Sequence, residues 1–266
     1  MTGNVEILTL IQWARGANWR LELQHSSPAH ALVWITKGQA RATIDGIMRG
    51  VGVHNVLAIP AGTLMSIQPG AQCFGLVCLI PPNSPVLMPD TAQHLRIRDV
   101  QPQAELTAIL DAMQREANQP RPFGDEALYA HATLMTVWLR RAMIAHEVPP
   151  PPTAAERLVT AFCALVEQEY RSGRPMADYA RDLGVTPTHL TRCCRQCSGL
   201  TAADILTQRT LHAAREMLTG SRDAIRHVAA QLGFRSAAYF SRFILHHTGC
   251  SPSDLRRNAR KERPHG

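Results

Sequence analysis

The spacing of apolar positions changes along the chain and divides it into three parts. Up to about residue 80 the apolar residues come in short alternating or continuous runs at 32–36, 41–44, 56–59, 64–67 and 74–80, each ended by a turn signal. Asp45-Gly46 and Pro69-Gly70 mark hairpins or tight turns, and Lys37-Gly38 ends a strand. Many short strands at this spacing predict a sandwich or small barrel. The spacing then becomes helical at 103–118 and 125–146. In the second of these stretches Leu128, Met135, Trp138 and Ala142 form one stripe, widened by Leu134, Leu139 and Met143. Such a stripe needs cover, either from the barrel or from its copy in a second subunit.

A run of prolines from Val148 to Thr153 follows; it stops any helix and favours an extended chain, so it marks a boundary. Beyond it, residues 154–173 form an amphipathic helix with Leu158, Phe162, Leu165 and Val166 on the apolar face. Residues 201–219 form another, with Ala202, Leu206, Ala213 and Met217 on its packing side. The predicted organisation is a sensor barrel at 1–99, a helical dimerisation segment at 100–147, a linker at 148–153 and an all-α DNA-binding domain at 154–266.

The densest pattern lies near the C-terminal end. Ile225, Val228, Ala229 and Leu232 form a helical stripe that stops at Gly233. Ser236 then caps a second helix, with Phe240, Phe243 and Ile244 inward and Ala237, Ala238, Ser241 and Arg242 on the other side. Two short helices about a glycine turn predict a helix-turn-helix. A weaker copy precedes it. Leu183-Gly184-Val185 repeats Leu232-Gly233-Phe234 at an offset of 49, and Thr186, Leu190, Arg192 and Gly199 repeat Ser236, Phe240, Arg242 and Gly249 at 50. The chain therefore carries two such units, with second helices at 187–198 and 236–248. Recognition helices that enter successive major grooves of DNA stand about 34 Å apart.

Charge sharpens this division. Residues 1–148 hold 11 basic and 11 acidic side chains and residues 149–266 hold 17 and 10, so the formal net charge of +7 lies entirely in the second part. Attraction for a polyanion is thus a property of one domain. The apolar run at 7–11 is too short for a signal core or a membrane span, which gives an expectation of a cytoplasmic protein without a membrane partner. Seven scattered cysteines do not suggest a disulfide framework, and free thiols are expected. Cys193, Cys194 and Cys197 cluster on one predicted helix, where adjacent positions diverge by about 100°, so small buried hydrophobes are the expected role rather than a metal or redox site.

The order Ile225, Ala229, Gly233-Phe234, Ser236, Tyr239-Phe240-Ser241-Arg242, Gly249, Ser251-Pro252 resembles the signature of AraC/XylS-type transcription regulators. The departure is Ile244-Leu245, where the family usually has an aromatic residue followed by lysine. The resemblance implies a regulator that binds double-stranded DNA, acts as a homodimer and responds to a small-molecule effector; RNA polymerase is a further partner, and both directions of control, activator or repressor, stay open. It places DNA contacts at Thr188, Thr191, Arg192 and Arg195 in the first unit and at Ala237, Ala238, Ser241 and Arg242 in the second. Arg209, in the connecting helix, stands where the family commonly has an arginine and joins that set. Arginine grips guanine through two hydrogen bonds, and threonine offers a hydroxyl and a methyl; the alternative for each arginine is a phosphate contact or a surface ion pair.

In the N-terminal part the order Gly38, Ile44-Asp45-Gly46, Ile59-Pro60-Ala61-Gly62 resembles a cupin barrel. Metal-binding cupins hold their ion with three histidines and a glutamate. Here His25 matches the first histidine, but Ser27, Ala31 and Met65 occupy the other three places, so neither a metal, a cofactor nor a catalytic residue is expected. His25, His30, Trp34 and Met65 are left as candidates to line a pocket for a small organic molecule, or else as ordinary core and rim residues. Two rival readings remain: a cupin-type enzyme with an accessory DNA-binding module, and a DNA-binding protein whose barrel responds to no effector.

Overall fold

Asp45 and Gly46 both take left-handed backbone, at φ 50° and 73°, which is what a two-residue hairpin requires to match the twist of its flanking strands. They join β3 (Ala40–Ile44) to β4 (Ile47–Val51), and with β6 (Met65–Pro69) these form a three-stranded sheet in the order β4-β3-β6. The computed structural model describes residues 4–119, 121–146 and 150–261. A second, five-stranded sheet runs β1 (Glu6–Thr9), β7 (Phe74–Ile80), β2 (His30–Lys37), β5 (Asn55–Ile59), β8 (Gln93–Arg96). Its neighbouring strands are all antiparallel. β1, β4 and β8 lie outside the predicted strands.

The five-stranded sheet is buried on both faces, and strand parity decides which core each residue joins. Ala31, Val33, Ile35, Leu57, Ile59 and Val77 meet Ala42, Ile44, Met65 and Ile67 of the smaller sheet in one core. Leu32, Trp34, Val56, Ala58, Cys78 and Ile80 point the other way, into a second core completed by two helices, α3 (Val100–Asn118) and α4 (Gly124–Ala145). Two packed antiparallel sheets with a helical hairpin against one of them are therefore the fold of this part.

This arrangement settles the cover of the α4 stripe. Leu128, Met135, Trp138 and Leu139 are buried against α3 and the sheet, and Trp138 Nε1 donates to the Pro102 carbonyl at 3.0 Å. Met135 and Trp138 belong to the domain's own core and are not free to form a subunit interface.

The chain divides into two units, the first running to Pro152 and the second beginning at Thr153, with Leu23–His25 and Asp45–Ile47 grouped with the second. Val148 and Pro149 of the proline run lie outside the described residues, while Pro150, Pro151 and Pro152 have no regular secondary structure. The second unit is all helix: α5 (Ala154–Glu169), α6 (Met176–Asp182), α7 (Pro187–Ser198), α8 (Ala202–Gly220), α9 (Ile225–Gln231), α10 (Ala237–Thr248) and α11 (Pro252–Lys261). Thr153 and Thr201 start α5 and α8 with capping boxes, in which each hydroxyl accepts from the amide three residues on and the acidic side chain there, Glu156 or Asp204, accepts from the cap's own amide. On α5 the buried stripe is Val159, Phe162, Cys163 and Val166; Leu158 and Leu165 are half-buried at its edge, one position off the expected face.

Candidate nucleic-acid interface

The first unit is α6, a turn at Gly184 (φ 68°), and α7. Thr186 caps α7 by accepting from the His189 amide at 3.2 Å, Pro187 supplies a first residue that has no amide hydrogen to satisfy, and Gly199 ends the helix in left-handed backbone. Leu190, Cys193, Cys194 and Ser198 face the core. Helical geometry then leaves Thr188, Arg192 and Arg195 exposed, with Thr191 half-buried beside them. The structure thus brings the four candidate residues of this helix to one accessible face.

His189 is a residue that the sequence reading passed over. Its Nδ1 accepts from Arg192 Nη2 at 3.0 Å, and its Nε2 lies 3.6 Å from Cys193 Sγ. The ring therefore tethers the Arg192 guanidinium to the helix surface. The spacing i to i+3 between His189 and Arg192 was the available signal.

The second unit repeats the construction. α9 ends in a turn at Gly233 (φ 75°), and Ser236 caps α10 by accepting from the Tyr239 amide at 3.2 Å. Phe240 and Ile244 are buried, while the Phe234 ring packs on Tyr239, Phe240 and Phe243 at centroid distances of 5.8, 5.1 and 5.1 Å. Ala238 and Arg242 are exposed, and Ala237 and Ser241 are half-buried. Tyr239, 57% exposed, adds a phenol to this face that the sequence reading had not assigned.

Arg209 is a correction. Its Nε and Nη2 donate to the two carboxylate oxygens of Glu167 at 2.6 and 2.8 Å, and its guanidinium lies 3.8 Å from the centre of the Tyr170 ring. Its side chain is 8% exposed. A guanidinium already spent on a bidentate carboxylate and a ring face does not reach DNA; it ties α8 to α5. Nothing in the local sequence pairs Arg209 with a glutamate 42 residues earlier.

The pocket candidates of the first part do not converge either. Trp34 and Met65 are fully buried in the two different cores, on opposite sides of the five-stranded sheet. His30 is half-buried, its Nδ1 accepting from the Ala61 amide at 3.2 Å. His25 belongs with the second unit, where burial holds its pKa down to about 4. Trp34 and Met65 therefore face different spaces, and the four residues do not form one lining.

All seven cysteines are free thiols. Cys193 and Cys194 are core residues, and burial pushes the Cys194 thiol up to about 12, which leaves it protonated and unreactive at neutral pH.

Two linked helix-turn-helix units on one all-α domain define a DNA-binding class of fold. Residues 179–258 match the family model described as a helix-turn-helix domain. Over 160 residues, 60% of this chain, the sequence is 24% identical to the HTH-type transcriptional activator RhaR of Escherichia coli (strain K12), covering 56% of that protein. RhaR of Shigella flexneri matches to the same extent. The chain spans just over half the length of the curated relatives it matches. Among solved structures, unsaturated fatty acid bound wild-type ToxT from Vibrio cholerae strain SCE256 aligns with 96% of this chain and 97% of its own, at 13% identity and a TM-score of 0.44. The domain match and the relatives agree with the resemblance in motif order to AraC/XylS-type regulators, and what they show of this chain is a helix-turn-helix domain at 179–258. No helix among the described residues is long and apolar enough to cross a membrane.

Proposed function

We propose that the protein is a cytoplasmic, sequence-specific DNA-binding transcription regulator that acts as a homodimer under the control of a small-molecule effector. The observation that carries this reading is the repeated unit in which one helix face is left exposed and polar, with Arg192 and Arg195 on α7 and Arg242 on α10. All of the excess positive charge lies in the same part of the chain. In this reading α7 and α10 enter successive major grooves, α7 reading base edges and α10 chiefly holding the backbone. RNA polymerase is the partner through which an activator of this class would work. Selection of bound sequences from a random DNA pool by the full chain tests the proposal. A recovered consensus, with affinity falling as salt rises at a log-log slope of about −0.9 per phosphate neutralised, is the expected result. No consensus, or a slope near zero, rejects it.

A further inference from the structure

One cavity lies in the N-terminal compact unit, which runs to Pro152, and takes no part in the site described above. It has a volume of about 500 Å³ and is lined by His94, Arg96, Ile97, Arg98, Asp99, Pro102, Ala142, Ala145 and His146. That volume is within the range of small-molecule pockets, roughly 300–1,000 Å³. Its lining has two chemistries. Ile97, Pro102, Ala142 and Ala145 supply an apolar wall, and Arg96 and Arg98 supply two guanidinium groups. Neither arginine forms an ion pair among the described residues. Among the described lining residues the carboxylate is Asp99, which precedes α3, and its side chain makes no capping hydrogen bond. The cavity therefore lies at the N-terminal end of a 19-residue helix, whose free amides add positive potential to that of the arginines.

The wall is held in place by contacts independent of any ligand. Gln103 Nε2 donates to the Ile97 carbonyl at 2.9 Å and to the Arg98 carbonyl at 3.3 Å. Trp138 Nε1 fixes the Pro102 carbonyl, and the Ile97 amide donates to the His54 carbonyl at 2.9 Å. His94 is pinned through Nε2, 2.7 Å from the Asn55 side-chain oxygen. Burial first, then the positive charges of Arg49, Arg96 and His146, hold the His94 pKa down to about 4. The smaller, Coulombic part of that shift comes from positive charge, which also favours a bound anion.

We propose that this cavity binds a small organic carboxylate, with its anionic end at Arg96 and Arg98 and its hydrocarbon body on Ile97, Pro102, Ala142 and Ala145. Asp99 offsets one of the two guanidinium charges and leaves a net attraction suited to a monoanion. Ala142 and Ala145 lie in the last turn of α4, and His146 is its C-terminal cap, shortly before the second unit begins at Thr153. The regulatory meaning of the site, as the seat of the effector, rests on the function proposed above; the binding chemistry does not.

Fluorine NMR of the full chain tests the binding directly, with 4-(trifluoromethyl)benzoate as probe and 4-(trifluoromethyl)benzyl alcohol as its neutral counterpart. The acid is expected to bind saturably, the alcohol at least about tenfold more weakly, as loss of a charge-assisted contact implies. R96Q with R98Q should weaken the acid by about tenfold or more and leave the alcohol unchanged. A145F, which fills the apolar end, should abolish binding of both, with unchanged circular dichroism certifying the fold. Equal affinity for acid and alcohol, indifference to either variant, or full displacement of the acid by inorganic phosphate at matched concentration overturns the proposal. Gel shifts on selected DNA, run with the same samples, separate the two readings. A chain that fails to bind DNA but binds the acid as described sinks the regulator and keeps the carboxylate site.

Discussion

α7 and α10 are built alike, each with a hydroxyl cap at the start and a left-handed glycine at the end. On the exposed face, however, α7 carries Thr188, Arg192 and Arg195, whereas α10 carries Ala238, Tyr239 and Arg242. The turns differ too. A Cβ on Gly184 would meet nothing within 4 Å, while one on Gly233 would lie 2.4 Å from the Arg171 carbonyl oxygen and 2.6 Å from the Gly173 amide nitrogen. The first unit is thus free at its turn and chemically rich on its reading face. The second is packed at its turn and plain on its face. The two units share a backbone plan and differ in their surfaces, which is what the proposal of one reader and one anchor on an asymmetric site requires.

The largest expected effect falls on the helix joining the two units. Arg209→Ala removes one half of a largely buried ion pair, at a cost of about 3 kcal/mol in the urea-unfolding transition of the helical domain that begins at Thr153. If the residue were a DNA contact, stability would stay unchanged and only affinity would fall.

The contrast between the turns predicts the next effect. Gly233→Ala combines left-handed strain with a backbone clash and should destabilise by roughly 2–3 kcal/mol, whereas Gly184→Ala carries only the strain, about 1 kcal/mol. Equal losses for the two variants in the same urea titration would mean that the two turns are equivalent after all.

Affinity and specificity come third. Arg192→Ala should lose about 1–3 kcal/mol of binding and relax preference at one or two base pairs, while Arg242→Ala should weaken all sites evenly. Sequence selection with both variants reads this out; an unchanged consensus for Arg192→Ala would move the reading role away from α7. The smallest effect belongs to His189→Ala, which frees the Arg192 guanidinium and should cost on the order of 0.5–1 kcal/mol of affinity with the consensus retained. A broadened consensus would instead make His189 a base contact in its own right.

A separate expectation concerns acid. The pKa of His94, about 4 in the folded chain, lies below its ordinary value of 6.5, so the unfolded state binds the proton first. Stability from this group is complete above 6.5 and declines as pH falls toward about 4. Melting temperatures of wild type and His94→Gln between those limits should converge as the pH is lowered.

What the sequence determined by itself was local. The glycine turns at 184 and 233, the caps at Thr186 and Ser236, the Asp45-Gly46 hairpin and the α7 and α10 faces all follow from interactions spanning a few residues, and those signals are written side by side in the chain. The tertiary structure decided partners. Trp34 and Met65 went to separate cores because strand parity and the position of α3 and α4 set which face meets which layer. Arg209 left the DNA-facing set because Glu167 and Tyr170 lie on a distant helix that packing brought to it. The cavity beside Arg96 and Arg98 exists only where the end of β8, the start of α3 and the last turn of α4 come together. A stripe, a charge or an aromatic ring shows in the sequence that it needs a partner; which partner it finds depends on chain closure over tens of residues, where periodicity carries no information.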